Sequence, residues 1–207
     1  MERVLVLFVT VLLILQAGVA QSKATVSCKV PGFAAKNHRT MGPHKSPTDG
    51  SCKVHKKNGF PMPDPSCTPG AINPTVTLDV LNSSNFKTGC VRDKVSSASA
   101  KRAAYAWYAL SIPSNNKGAT QICELDHLVP LELGGGDSMD NIWSQCGPSD
   151  VVLKARYFKQ KDLVESYLAD QVRAGTMDLK TAQRAIARDY TQFVEAAKQR
   201  CPGGHCG

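Results

Sequence analysis

No Cys-x-x-Cys occurs anywhere in the 207 residues, and that absence argues against zinc held by cysteine pairs. After the first apolar run, Val4 to Leu15, no later stretch is apolar enough to cross a membrane. Internal repeats and long low-complexity tracts are missing as well, so nothing in the chain suggests a repeat array. Histidine is scarce: between His55 and His205 the only one is His127. His38, His44 and His55 lack the paired spacing of metal ligands and read as exposed residues of a basic loop.

What is present begins with a leader. Arg3 gives a positive start, Val4 to Leu15 an apolar core, and Gly18-Val19-Ala20 the small residues of a cleavage position. That pattern is a secretory signal peptide over residues 1–20 and predicts a secreted, extracellular mature chain of about 187 residues. All eight cysteines (28, 52, 67, 90, 123, 146, 201 and 206) fall after it. An even count in a secreted chain predicts a framework of four disulfides. Net charge is +8, and because Glu2 and Arg3 cancel, the excess belongs to the mature chain. A basic protein suits an anionic partner: nucleic acid, an acidic glycan or a membrane surface.

Residues 21–67 are rich in Pro, Gly, Lys and His and show little periodicity, which predicts a loop-rich extension held by disulfides rather than by a core. Thr75 to Leu81 reads as a short strand or an extended run. Ser96 or Ser97 is placed to cap a helix running to about Leu110, with Trp107 and Tyr108 as core rather than a base-stacking platform. Two amphipathic helices close the chain. The first covers roughly Val152 to Ala174, with Gly175 ending it. The second starts at Asp178 and runs to about Arg200 on the stripe Leu179, Ala182, Ile186, Tyr190, Phe193 and Ala197. Residues 201–207 form a cysteine-containing tail.

The chemistry concentrates in Cys123 to Gln145, CELDHLVPLELGGGDSMDNIWSQ. Asp126 and His127 sit together at the end of a strand-like run, with Glu124 on the nominal face of Asp126. Carboxylate oxygens suit a hard divalent cation, and a neutral imidazole takes a proton from water near pH 7. An acid-histidine pair beside a metal is suited to phosphodiester hydrolysis. Leu128 to Leu133 continues the apolar alternation, Gly134 to Gly136 permit a reversal, and Asp137 or Asp140 is placed to start a short helix. Cys123 and Cys146 bracket the unit, and a bridge between them would clamp its ends.

The Asp-His pair, the glycine-rich turn and the following Asn141 resemble the HNH, or His-Me finger (ββα-metal), nuclease motif. The string DHLVPLELGGGDSMDNIWSQ is similar to a secreted bacterial and fungal branch that reads DH-x-x-PL-x-LGG-x-x-x-x-x-NLW-x-Q. Thr68 to Thr77, Arg92, KDLVESYL and DLKTAQRAIARDY extend the likeness to about residues 65–195. The resemblance implies an α+β fold: a small ββα-metal unit packed with helices, within a domain over residues 68–200. It implies His127 as general base, Asp126 as metal ligand and Asn141 as the residue holding the histidine's loop. The family's further ligand, a His or Asn on the helix, has no counterpart after Gln145, and Asp150 and Glu124 stand as the replacements. Lys161 and Asp162 match a Lys-Asp pair read as helix surface or phosphate contact.

The expectation is therefore a secreted, monomeric endonuclease using Mg (or Mn or Zn) on DNA or RNA. The alternative is a catalytically inactive secreted protein on the same scaffold, binding nucleic acid, glycan or a cell surface through the basic extension. A secreted toxin or effector would use the same nuclease chemistry on another cell.

Overall fold

The computed structural model describes residues 28–92, 98–202 and 206; the leader and the expected Ser96 or Ser97 cap lie outside the described residues. In chain order the elements are β1 (Arg39–Thr40), β2 (His55–Lys57), β3 (Phe60–Met62), β4 (Ala71–Ile72), α1 (Leu78–Asn82), α2 (Ala98–Trp107), β5 (Cys123–His127), β6 (Ile142–Cys146), α3 (Tyr157–Arg173), α4 (Leu179–Asp189) and α5 (Val194–Arg200). Short 3-10 turns link several of them. The fold is α+β, with three small antiparallel pairs: β1 with β4, β2 with β3, and β5 with β6.

The β5–β6 pair runs in register from Cys123 opposite Cys146 to His127 opposite Ile142. The Cys123–Cys146 disulfide closes its open end, as the bracketing suggested. The other bridges are Cys28–Cys90, Cys52–Cys67 and Cys201–Cys206, which uses every cysteine. No helix of the described residues is long and apolar enough to cross a membrane.

The loop between β5 and β6 departs from the expected alternation. The strand ends at His127, and Leu131–Leu133 form a 3-10 turn with Leu131 and Leu133 buried. Pro130 and the reversal at Gly134 (φ +72°) stop the ladder. Gly135 is fixed by space: a Cβ there would lie 1.9 Å from the Val129 carbonyl oxygen. The loop then crosses β4, where Gly136 N–H donates to the Ala71 carbonyl and Asn73 N–H to the Gly134 carbonyl, each at 2.8 Å. Residues 137–140 are bends and turns rather than a helix, because Asp137 and Asp140 spend their carboxylates elsewhere.

The extension is not held by sulfur alone. Val30, Cys52, Met62 and Cys67 join the same hydrophobic cluster as Leu128, Trp143, Val164, Leu168, Ile186 and Tyr190. Tyr190 ties the two parts: its hydroxyl donates to the Pro61 carbonyl and accepts from Gln145 Nε2, both at 2.8 Å. The expected strand at Thr75–Leu81 is instead the entry to α1. Thr77 Oγ1 accepts from Val80 N–H at 3.3 Å, and a capped turn that buries Val80 and Leu81 prevails over β-branched propensity.

The terminal helices also differ in detail. α3 starts at Tyr157 rather than Val152, after a separate 3-10 turn at Leu153–Ala155. Gly175 (φ +72°) follows its end. Asp178 caps α4, accepting from Thr181 N–H at 2.8 Å, but the second helix breaks at Asp189, whose extended backbone separates α4 from the 3-10 turn Tyr190–Phe193 and α5. Tyr105 and Tyr108 are buried in the core.

Gly135→Ala should lower the unfolding free energy by at least about 2 kcal/mol, since backbone rather than a flexible side chain has to move. Urea denaturation of the purified variant checks this; a loss below about 0.5 kcal/mol would contradict the close packing of the loop.

Candidate functional site

β5 carries its acidic and basic groups to one cleft of about 310 Å³, lined by Glu124, Asp126, His127, Glu132, Asp162 and Glu165, with Arg92 at its edge. Asp126 and His127 reach the same cleft because the strand stops there. Leu128 N–H still donates to the Asn141 carbonyl at 2.7 Å, so the chain leaves the strand without losing that bond.

His127 is buried, and its Nε2 lies 2.8 Å from Oδ1 of the equally buried Asp137. In the neutral ring this carboxylate takes the Nε2–H, which leaves the lone pair on Nδ1. Asn141, fully buried, fixes the loop between the two: its Oδ1 accepts from Val129 N–H at 2.9 Å, and its Nδ2 donates to the Val129 and Gly136 carbonyls at 2.9 and 2.8 Å. One amide thus spans both arms of the loop, next to the histidine on one side and Asp137 on the other.

Beneath the cleft sits Lys161, on the buried face of α3 and with no exposed side-chain surface. This overturns its reading as helix surface. Its ammonium has three hydrogens and three partners: the His127 carbonyl at 2.7 Å, Asp126 Oδ2 at 3.0 Å and Glu165 Oε1. Lys159 takes the outer carboxylates, Asp162 at 2.7 Å and Glu124 at 3.6 Å.

Burial pushes the carboxyls of Glu124, Asp126 and Glu132 above their ordinary values, and Glu165 well above. Neighbouring carboxylates add to the rise, while lysines oppose it at Asp126 and Glu165. For Lys161, burial alone would lower the ammonium's pKa; Asp126 and Glu165 outweigh it and hold the side chain charged.

The sequence-derived ligand set divides. Asp126 and Glu124 share the cleft, whereas Asp150 is exposed in the segment after β6 and does not line it. Asp137 and Glu165 were not singled out as site residues. Asp137 looked like a helix start, and nothing in the chain's periodicity marks it as the partner of a histidine ten positions away. Glu165 stands four residues from Lys161 on α3, so the i,i+4 spacing was the available signal.

Five carboxylates face four cations here: Arg92, Lys159, Lys161 and, beside Glu132, Arg173. Asp126 Oδ2 is buried and accepts no directed hydrogen bond. A surplus of hard oxygen donors fits a divalent cation in kind. Among the described residues, however, no three His, Cys, Asp or Glu side chains already stand as a metal-holding cluster. No family model matches the chain, and no curated protein or solved structure is significantly similar to it.

Lys161→Met leaves two buried carboxylates without their cation. It should destabilise the fold by about 3–5 kcal/mol at pH 7, as breaking one side of a buried pair does. Asp126 and Glu165 bind protons more readily folded than unfolded, so their contribution to stability is complete below the ordinary carboxylate range and is lost as the pH rises through the raised values. In the variant no lysine opposes that rise, so protonation relieves it more than the wild type and its deficit should shrink from pH 7 to pH 5. Urea titrations in EDTA at both values measure it; a deficit that is small, or that grows on acidification, would contradict the buried pairing.

Proposed function

We propose that this chain is a secreted endonuclease of the HNH, or His-Me finger, class, hydrolysing nucleic-acid phosphodiester bonds with the help of a divalent metal ion. The observation that carries the reading is His127: a ring oriented through Nε2 by buried Asp137, with Nδ1 open, at a cleft crowded with carboxylates. Its support from the sequence is the DH…GGG…NIW string and the +8 charge. Support for export comes from the leader and from four disulfides, which form and persist in oxidising compartments.

In this reading Nδ1 of His127 takes a proton from water. The resulting hydroxide attacks phosphorus, and the bond to the leaving ester oxygen breaks. Asp137 holds the ring's tautomer and stabilises the imidazolium that forms. Asn141 keeps the two in register through the loop backbone. Asp126 and Glu124 would hold the metal, which when bound offsets charge on the phosphate and the leaving oxygen. Lys161 fixes the carbonyl of His127 and the carboxylate of Asp126 from below. The basic surface would bind the polynucleotide backbone with release of counterions, so affinity should fall steeply with salt.

A second reading is favoured by one observation. The Lys161 ammonium already stands against Asp126, where a metal would compete with it. A scaffold that had lost its metal would be a non-catalytic binder of nucleic acid, glycan or a cell surface.

Plasmid nicking by the purified mature chain separates the two. The nuclease reading expects nicking in Mg or Mn, its loss in EDTA, and a drop of about 10²–10⁴-fold for His127→Ala. Nicking at the wild-type rate by His127→Ala would sink the mechanism. An inert wild type that still binds DNA with Asp126 and His127 both replaced by Ala would establish the binder.

A further inference from the structure

A second cavity, larger than the His127 cleft, lies apart from it. It is a half-open groove of about 720 Å³ between α4, the end of α3 and the β1–β4 pair, and it shares no lining residue with that cleft. We infer that this groove is a binding site for a free, single-chain aliphatic anion, a fatty-acid-like carboxylate or sulfate.

The groove's body sets the aliphatic part. Met41, Ile72, Val76, Met177 and Leu179 line it, and no Phe, Tyr, Trp or His does. A nucleobase or other flat ring would find nothing to stack on. The donors of the buried amides are also spent. Asn73 donates to the Ala34 carbonyl at 2.8 Å and accepts from Thr75 N–H, and Gln183 donates to the Leu133 carbonyl at 2.8 Å. A polar ligand body would be left without partners, whereas unbranched, polarisable methionines adapt to a flexible chain. The volume lies in the range of pockets that enclose small ligands.

The rim sets the sign of the head group. Lys180 and Arg184 stand one turn apart on α4, and Arg39 comes from β1 opposite Ile72, so cations approach from two walls. All three are exposed, and among the described residues none holds an ion pair. The single acidic residue of the lining, Asp178, is turned into the helix cap and bound to Thr181 N–H and Oγ1 at 2.8 and 3.0 Å. Three exposed cations against one capped carboxylate, which Lys180 and Arg184 also face, leave the rim net positive over an aliphatic floor and match a monoanion with an alkyl tail.

Calorimetric titration of the full mature chain with decanoate below its micelle concentration, beside decyl sulfate, decanol and decyltrimethylammonium, tests this. Saturable one-to-one binding of both anions is expected, with decanol and the cation weaker by about tenfold or more. Arg39→Gln with Arg184→Gln, both exposed positions, should weaken decanoate by about tenfold and leave near-UV dichroism unchanged. Met177→Glu should abolish binding. No saturable heat, equal binding of decanol, or full affinity in the double Gln variant would overturn the assignment. So would a chain that sediments as a dimer, becomes monomeric on Met177→Glu and takes no decanoate, for a second copy would then own the groove.

Discussion

One buried ammonium organises the site. Lys161 brings a full charge into the core on α3 and spends it on two hydrogen bonds, to the last carbonyl of β5 and to Glu165, and on an ion pair with Asp126. Without it the end of β5 would have no polar tether to the helix, and two carboxylates would face each other in a desolvated space. With it, the strand stops at the same place relative to α3, and His127, Asp126 and the cleft are positioned together. The charge is expensive to bury, which is why its geometry is so fully partnered.

A second constraint acts on the other side of the histidine. Asn141 binds two carbonyls and one N–H of the β5–β6 loop, and Gly135 lets the loop approach its own backbone closer than any side chain permits. Together they deliver Asp137 to His127 across ten residues. The Cys123–Cys146 bridge closes the opposite end of the hairpin. The histidine is thus held at its carbonyl by Lys161 of α3 and at its ring by Asp137 of the β5–β6 loop.

Features written in local pattern were legible in the sequence. Asp178 as a cap, Gly175 as a helix end, the buried stripe of α4 and the bracketing cysteines all follow from spacing and residue type. Features that depend on distant partners were not. A lysine on a helix with polar neighbours reads as solvated, and only the fold reveals that Asp126, 35 positions earlier in the chain, lies against it. Asp137 has the composition of a cap and the role of a partner. Thr75–Leu81 has strand-forming residues, yet a threonine cap and two apolar side chains seeking the core make it helical. Asp150 follows the motif in sequence, but the chain turns away after β6 and leaves it in solvent.

The site depends on the orientation of one ring: Asp137 takes the proton-bearing Nε2 of His127 and leaves the lone pair on Nδ1. Nitrogen-15 NMR of protein labelled at histidine, recorded with the ring neutral and assigned with His127→Gln, reads that tautomer directly. The account predicts a protonated Nε2 and an unprotonated Nδ1, with the preference lost in Asp137→Ala. A neutral ring carrying its proton on Nδ1 would contradict it.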